Sequence, residues 1–157
     1  MAGHLIRRLH QISTSVFQNS MKRHHQQCTA VQFAALHAIA KNPGVDQATI
    51  AGLIAYDRAT IGGVIDRLEA RQLISRSVSK RDRRAKELML TEKGEVTLQA
   101  MMPVVEQLQA DMLIGLSQSE QVEFLRLAEK IAKAGNHLSR APLILPDGTD
   151  NQPGVLD

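Results

Sequence analysis

Apolar residues recur at helical spacing along most of this chain, and two short alternating stretches interrupt that rhythm once. Leu5, Leu9, Ile12 and Val16, with Phe17 and Met21 on a flanking stripe, predict a first helix from Leu5 to about Gln27. That is longer than the core of one small domain needs. Thr29 is a plausible cap for a second helix reaching Lys41, which Asn42-Pro43-Gly44 ends. Asp46 then caps a short helix carrying Ile50, Leu53 and Ile54. Asp57 caps a helix from Arg58 to about Arg71, with Ile61, Val64, Ile65 and Leu68 along its inner face.

The rhythm changes at Ile74–Ser79 and Ala85–Leu90, two strand candidates joined by a tight tip. Thr91 caps a long helix that contains Pro103, where the lost backbone donor should bend the helix rather than end the domain. Ser117-Gln-Ser-Glu120 is a capping-box signature, and the helix after it carries Val122, Phe124, Leu125, Leu127, Ala128 and Ile131. Apolar residues on more than one side of that helix fit packing against a second chain as well as its own. From Ala141 onward, three prolines, two glycines and polar residues read as a tail with little structure of its own.

Composition narrows the class. A chain of 157 residues with 43% hydrophobic but only 3% aromatic content fits one mainly α protein with an oligomerisation extension. A single cysteine, Cys28, excludes an intrachain disulfide framework and favours a reducing compartment. No apolar run approaches the ~20 residues of a membrane span, and no secretion signal is legible, so the expectation is a cytoplasmic protein with no membrane partner.

Charge changes the picture most. The net charge is only +3, yet residues 71–86 hold seven Lys or Arg and one Asp. The hairpin tip, Ser79-Lys-Arg-Asp-Arg-Arg-Ala-Lys86, has five basic residues against one acid. A solvated turn does not need that density, whereas the groove of a polyanion does. In a helix-turn-helix the second helix enters the major groove, where base edges carry a full donor and acceptor code. Its inner face being taken, the outer face holds Ala59, Gly62, Gly63 and Asp66, which offer few base contacts. Arg58, Thr60 and Arg67 on the flanks are the candidates for bases or phosphates, and Lys80, Arg81, Arg83 and Arg84 form a wing for the minor groove. Asp82 is read as orienting a neighbouring arginine. The two glycines each cost roughly 1 kcal/mol against alanine, which close backbone approach to DNA or to a neighbouring helix would offset.

These residues resemble the MarR family of dimeric winged-helix regulators over about Val31–Ile131. The resemblance rests on Asp57-Arg-Ala-Thr-Ile61, Asp66-Arg-Leu-Glu69, Leu73-Ile-Ser-Arg76, Asp82-Arg-Arg84 and Leu90-Thr-Glu-Lys-Gly94. It implies a homodimer with intertwined N- and C-terminal helices, a double-stranded DNA operator of pseudo-palindromic sequence, and a pocket for a phenolic or aromatic acid that relieves repression. Gly63 stands where many members carry an arginine or another polar residue. The expected organisation is an N-terminal dimerisation helix over 1–28, a winged helix-turn-helix over 29–94, C-terminal dimerisation helices over 95–140 and a flexible tail over 141–157.

By analogy with relatives that sense aromatic acids, Arg7, Arg8 and His10 are candidates for an effector carboxylate, with a solvated helix face or a dimer ion pair as the plain alternative. His37 and Tyr56 are further pocket candidates. Cys28 near His24, His25, Lys22 and Arg23 is weighed as an oxidation sensor, the alternative switch for such a repressor, against an inert buried thiol. His24 and Cys28 lack a third and fourth zinc ligand at convincing spacing, so no metal and no cofactor is expected. No nucleophile with an oriented base is present, so no enzyme is expected. The function the resemblance implies is a ligand-responsive repressor of an aromatic-compound catabolic or stress operon.

Overall fold

Four helices begin where a side chain takes up the backbone amides that a helix start leaves unpaired. In the computed structural model, which describes residues 1–79 and 84–145, α1 spans Ala2–Arg23 and α2 spans Ala30–Lys41. At α2, Thr29 Oγ1 accepts from the Gln32 amide at 3.2 Å while Gln32 Oε1 accepts from the Thr29 amide at 3.1 Å. Asp46 Oδ1 accepts from the Thr49 amide at 2.7 Å to start α3, Gln47–Leu53. Thr91 starts α5, Glu92–Met112, and Ser117 with Glu120 forms the capping box of α6, Gln118–Ala134.

The largest differences from the expected boundaries fall on α1 and α4. α1 stops at Arg23 instead of Gln27, because His25 takes a left-handed conformation (φ +54°) and the Gln26 amide reaches back to the Met21 carbonyl at 2.8 Å. The helix α4 is Ile61–Ala70, so it begins after Arg58. Asp57 caps a turn ahead of it: its Oδ1 accepts from the Ala59 amide at 2.7 Å, and its carbonyl accepts from the Thr60 and Ile61 amides.

The two expected strands form as β2, Ile74–Val78, and β3, Lys86–Leu90. They pair antiparallel with Ile74 opposite Leu90 and Val78 opposite Lys86. A two-residue strand β1, Val45–Asp46, adds to the other edge of β3, giving the order β1-β3-β2.

The core joins Leu36 and Ile39 of α2, Ile50 of α3, the α4 face Ile61, Val64, Ile65 and Leu68, then Leu73, Leu88 and the α5 residues Met101 and Leu108. Burying that α4 face fixes which side of the helix can meet a partner. α5 continues through Pro103, whose ring is exposed. α1 buries only Phe17, Ser20 and Met21, leaving Leu5, Ile6, Leu9 and Ile12 exposed. α6 buries none of its residues, so Val122, Leu125 and Ile131 lie open as well. Beyond α6 a short 3₁₀ turn, Asn136–Leu138, leads to an extended segment. It has no regular structure through Leu145, yet it is tied down: the Ile144 amide donates to the Gly52 carbonyl at 2.9 Å.

Candidate nucleic-acid interface

With its inner face buried, α4 presents Gly63, Asp66 and Arg67 outward, all exposed. A Cβ built on Gly63 would meet only the Arg67 guanidinium, at 3.6 Å, and one on Gly62 only the Gln47 amide nitrogen, at 3.4 Å. Neither glycine is therefore required by a neighbouring helix, one of the two reasons expected for them. What Gly63 does is clear the surface over which Arg67, one turn further on, lays its charged end. Arg58 and Thr60 sit in the exposed turn before α4, and the Thr60 hydroxyl donates to the Asp57 carbonyl at 3.1 Å.

The acid on this face is paired with a residue that sequence reasoning did not single out as functional. Arg76 of β2 reaches back to α4, with Nη2 donating to Asp66 Oδ1 at 2.7 Å and Nε to Glu69 Oε2 at 2.7 Å. A second contact joins Nη2 to Glu69 Oε2. The guanidinium holds the Glu69 carboxyl below the usual carboxylate range, chiefly through these hydrogen bonds. Arg76 is itself half-buried, so this fork fixes the wing strand against α4 and offsets one of the two negative charges that would repel phosphate. Its partners lie seven and ten residues away across a helix–turn–strand, a separation that no helical or strand periodicity reveals.

At the base of the wing the Ser79 amide donates to the Ala85 carbonyl at 3.0 Å, with Arg84 and Lys86 exposed beside it. Lys80, Arg81, Asp82 and Arg83 lie outside the described residues. The wing is anchored to α5 by the residues of the Leu90–Gly94 motif. The Thr91 amide donates to the Leu73 carbonyl at 3.1 Å, its hydroxyl to the Gln72 carbonyl at 2.6 Å, and Lys93 Nζ to the Arg71 carbonyl at 2.9 Å. Gly94 lies so close to the Leu73 carbonyl that an added Cβ would stand 1.9 Å from its oxygen.

The effector candidates are not gathered in one place. Arg7, Arg8 and His10 are exposed on the part of α1 that buries nothing, Arg7 lying 3.5 Å from His4 Nδ1. His37 of α2 is half-buried and stacks on Phe33, with centroids 6.0 Å apart and planes 7° from parallel. Tyr56 packs against the core beside α4. Cys28 is buried between α1 and α2, and burial pushes its thiol up to about 11 against the smaller opposing pull of Arg71. Among the described residues no His, Cys, Asp and Glu cluster could hold a metal ion, and no helix is long and apolar enough to cross a membrane.

A helix pair presenting its second helix outward, followed by a charged two-strand wing, defines a winged helix-turn-helix protein. The MarR family model matches residues 28–86. The HTH-type transcriptional repressor NicR of Pseudomonas putida is 36% identical over 129 residues, which is 82% of this chain and 80% of NicR. A solved structure of Bordetella bronchiseptica BpsR, whose DNA binding is regulated by 6-hydroxynicotinic acid, superposes with a TM-score of 0.79 at 32% identity over 84% of this chain and 93% of BpsR. The repressor CouR bound to a DNA duplex gives 0.77 at 30% identity over 84% of this chain and 92% of CouR. The chain belongs to the MarR family, a family of transcription regulators.

Proposed function

We propose that this protein is a homodimeric, cytoplasmic repressor that holds a pseudo-palindromic operator through α4 and the wing and releases it on binding a small aromatic acid. The observation that carries the reading is the Arg76 fork. It spends a half-buried arginine on making the outward face of α4 free of unpaired acid beside a cluster of exposed cations. Arg58, Thr60 and Arg67, with Lys80, Arg81, Arg83 and Arg84 of the wing, are the proposed DNA contacts. The likeness to DNA-bound CouR supports that assignment.

The exposed apolar stripes of α1 and α6 support dimerisation, because a second copy would cover both. Dimerisation would also bring α1 residues from two chains together, and Arg7, Arg8 and His10 are proposed to meet the effector carboxylate there, with His37 and Tyr56 as pocket residues. BpsR and NicR support a hydroxylated pyridine carboxylate as the first compound to try, and an aromatic-compound operon as the target. Such a ligand shifts operator affinity only by binding the two lobe spacings unequally, a coupling of typically ~1–3 kcal/mol. The thiol switch considered for Cys28 is disfavoured, since a buried thiol held protonated is a poor nucleophile.

The test is fluorescence anisotropy on a labelled promoter fragment, titrated with 6-hydroxynicotinate and with benzoates. Release by at least one of these acids, weakened in Arg8→Ala, is the expected result. Operator complexes indifferent to every acid would contradict the effector assignment.

A further inference from the structure

The glycine pair of α4 is bare, but two polar side chains end over it. A Cβ on Gly62 would stand 3.4 Å from Gln47 Nε2, and one on Gly63 would stand 3.6 Å from Arg67 Nη1. At about 3.6 residues per turn, Gly62 and Arg67 lie on opposite flanks of the outward face, with Gly63 and Asp66 between them. An amide brought in by α3 and a guanidinium from α4 itself therefore approach the same floor from two sides. Gln47 is anchored through its backbone. Asp46 pairs with Glu87 in the β1–β3 ladder, and its Oδ1 holds the Thr49 amide at 2.7 Å, which fixes Gln47 as the first residue of α3. The Gln47 side chain is half-buried, and among the described residues its amide has no hydrogen-bond partner.

Those two groups are the ones that purine edges match best. A glutamine amide donates and accepts at once, which suits N7 and N6 of adenine in the major groove, and a guanidinium suits O6 and N7 of guanine. The rest of the face has little to offer. Gly62 and Gly63 carry no side chain, and Asp66 is engaged by Arg76. Bare glycine lets a duplex close on the helix backbone, which brings base edges down to the level of the Gln47 amide. A half-buried stem also has less rotamer freedom left to lose, so the amide meets its base largely preorganised.

We propose that Gln47 is a specificity-determining residue of the DNA interface: from α3 it reads an adenine across Gly62, beside the base that Arg67 reads. This rests on the DNA-binding reading above. Sequence readout is then shared between two helices, and the outward face of α4 needs no long polar side chain of its own beyond Arg67.

The test selects bound sequences from a pool of randomised duplexes with the wild-type chain, Gln47→Ala and Gln47→Glu, and reads the enrichment of each base by sequencing. Thermal melts of the three proteins run alongside, since a merely structural role would lower stability and leave the selected motif unchanged. The wild type should prefer adenine at one position of its motif by about five- to a hundredfold. Gln47→Ala should take all four bases there alike while keeping the rest of the motif. Gln47→Glu should turn the preference to cytosine, whose amino group donates to a carboxylate. A Gln47→Ala motif identical to the wild type's, or an affinity loss equal on every sequence, overturns the assignment and leaves the DNA reading intact. A wild-type chain that enriches no duplex overturns both.

Discussion

Replacing Gly94 by alanine is the sharpest structural test of how the wing is tied to α5. The new Cβ would sit 1.9 Å from the Leu73 carbonyl oxygen and 2.9 Å from its carbon, and both are backbone atoms that cannot rotate away. α5 and the start of β2 must part by at least about 1 Å to restore ordinary contact. That movement stretches the Thr91–Leu73 amide bond of 3.1 Å and the Thr91–Gln72 hydroxyl bond of 2.6 Å. Losing two such bonds costs about 1 kcal/mol each, and forced overpacking adds about 1–3 kcal/mol. Alanine's better helix propensity returns about 1 kcal/mol. The net expectation is destabilisation of about 2–4 kcal/mol, or roughly 5–15 °C in Tm for a chain of this size. Thermal unfolding followed by circular dichroism, with both proteins at one concentration because association shifts Tm, measures it directly. An unchanged or raised Tm would refute the close approach.

The same substitution at Gly63 should act in the opposite sense. Only the movable end of Arg67 faces the new methyl, so Gly63→Ala should stabilise by about 0.5–1 kcal/mol while weakening duplex binding; undiminished affinity would contradict close backbone approach to DNA. Arg76→Met should cost about 1 kcal/mol in a urea melt and lower DNA affinity about five- to tenfold, because Asp66 and Glu69 are left uncompensated on the recognition face. Equal affinity would remove the fork from the interface. The Cys28 thiol, raised from 9.0 to about 11, favours the protonated form in the fold, so its contribution to stability is present below pH 9 and is lost as pH rises towards 11. Native protein at pH 8 should therefore resist iodoacetamide until it is unfolded, and rapid native labelling would contradict the burial.

The parts of this fold that are written locally could be read from the sequence. Thr29 with Gln32, and Ser117 with Glu120, put a cap and its reciprocal partner three residues apart, and both capping boxes form. The inner face of α4 and the two wing strands are likewise carried by adjacent residues. The end of α1 was illegible because its left-handed residue is His25 and not glycine; Ala55 and Gln72 play the same part after α3 and α4. Asp57 looks like a helix cap but spends its carboxylate on a turn amide, which shifts the start of α4 and leaves Arg58 outside it. β1 is two residues long and exists only through pairing with β3. The Arg76 fork and the return of Ile144 to Gly52 join residues far apart in sequence, so both needed the fold to become visible.

The salt dependence of duplex binding addresses the central claim most directly, because each phosphate neutralised by a protein cation contributes a slope of about −0.9 in log affinity against log salt concentration. For the wild type the slope should be steeply negative, and Arg83→Ala and Arg84→Ala should each make it shallower by about one unit. Slopes identical across the three proteins, or affinity that does not fall with salt, would contradict an interface built on the wing and the outward face of α4.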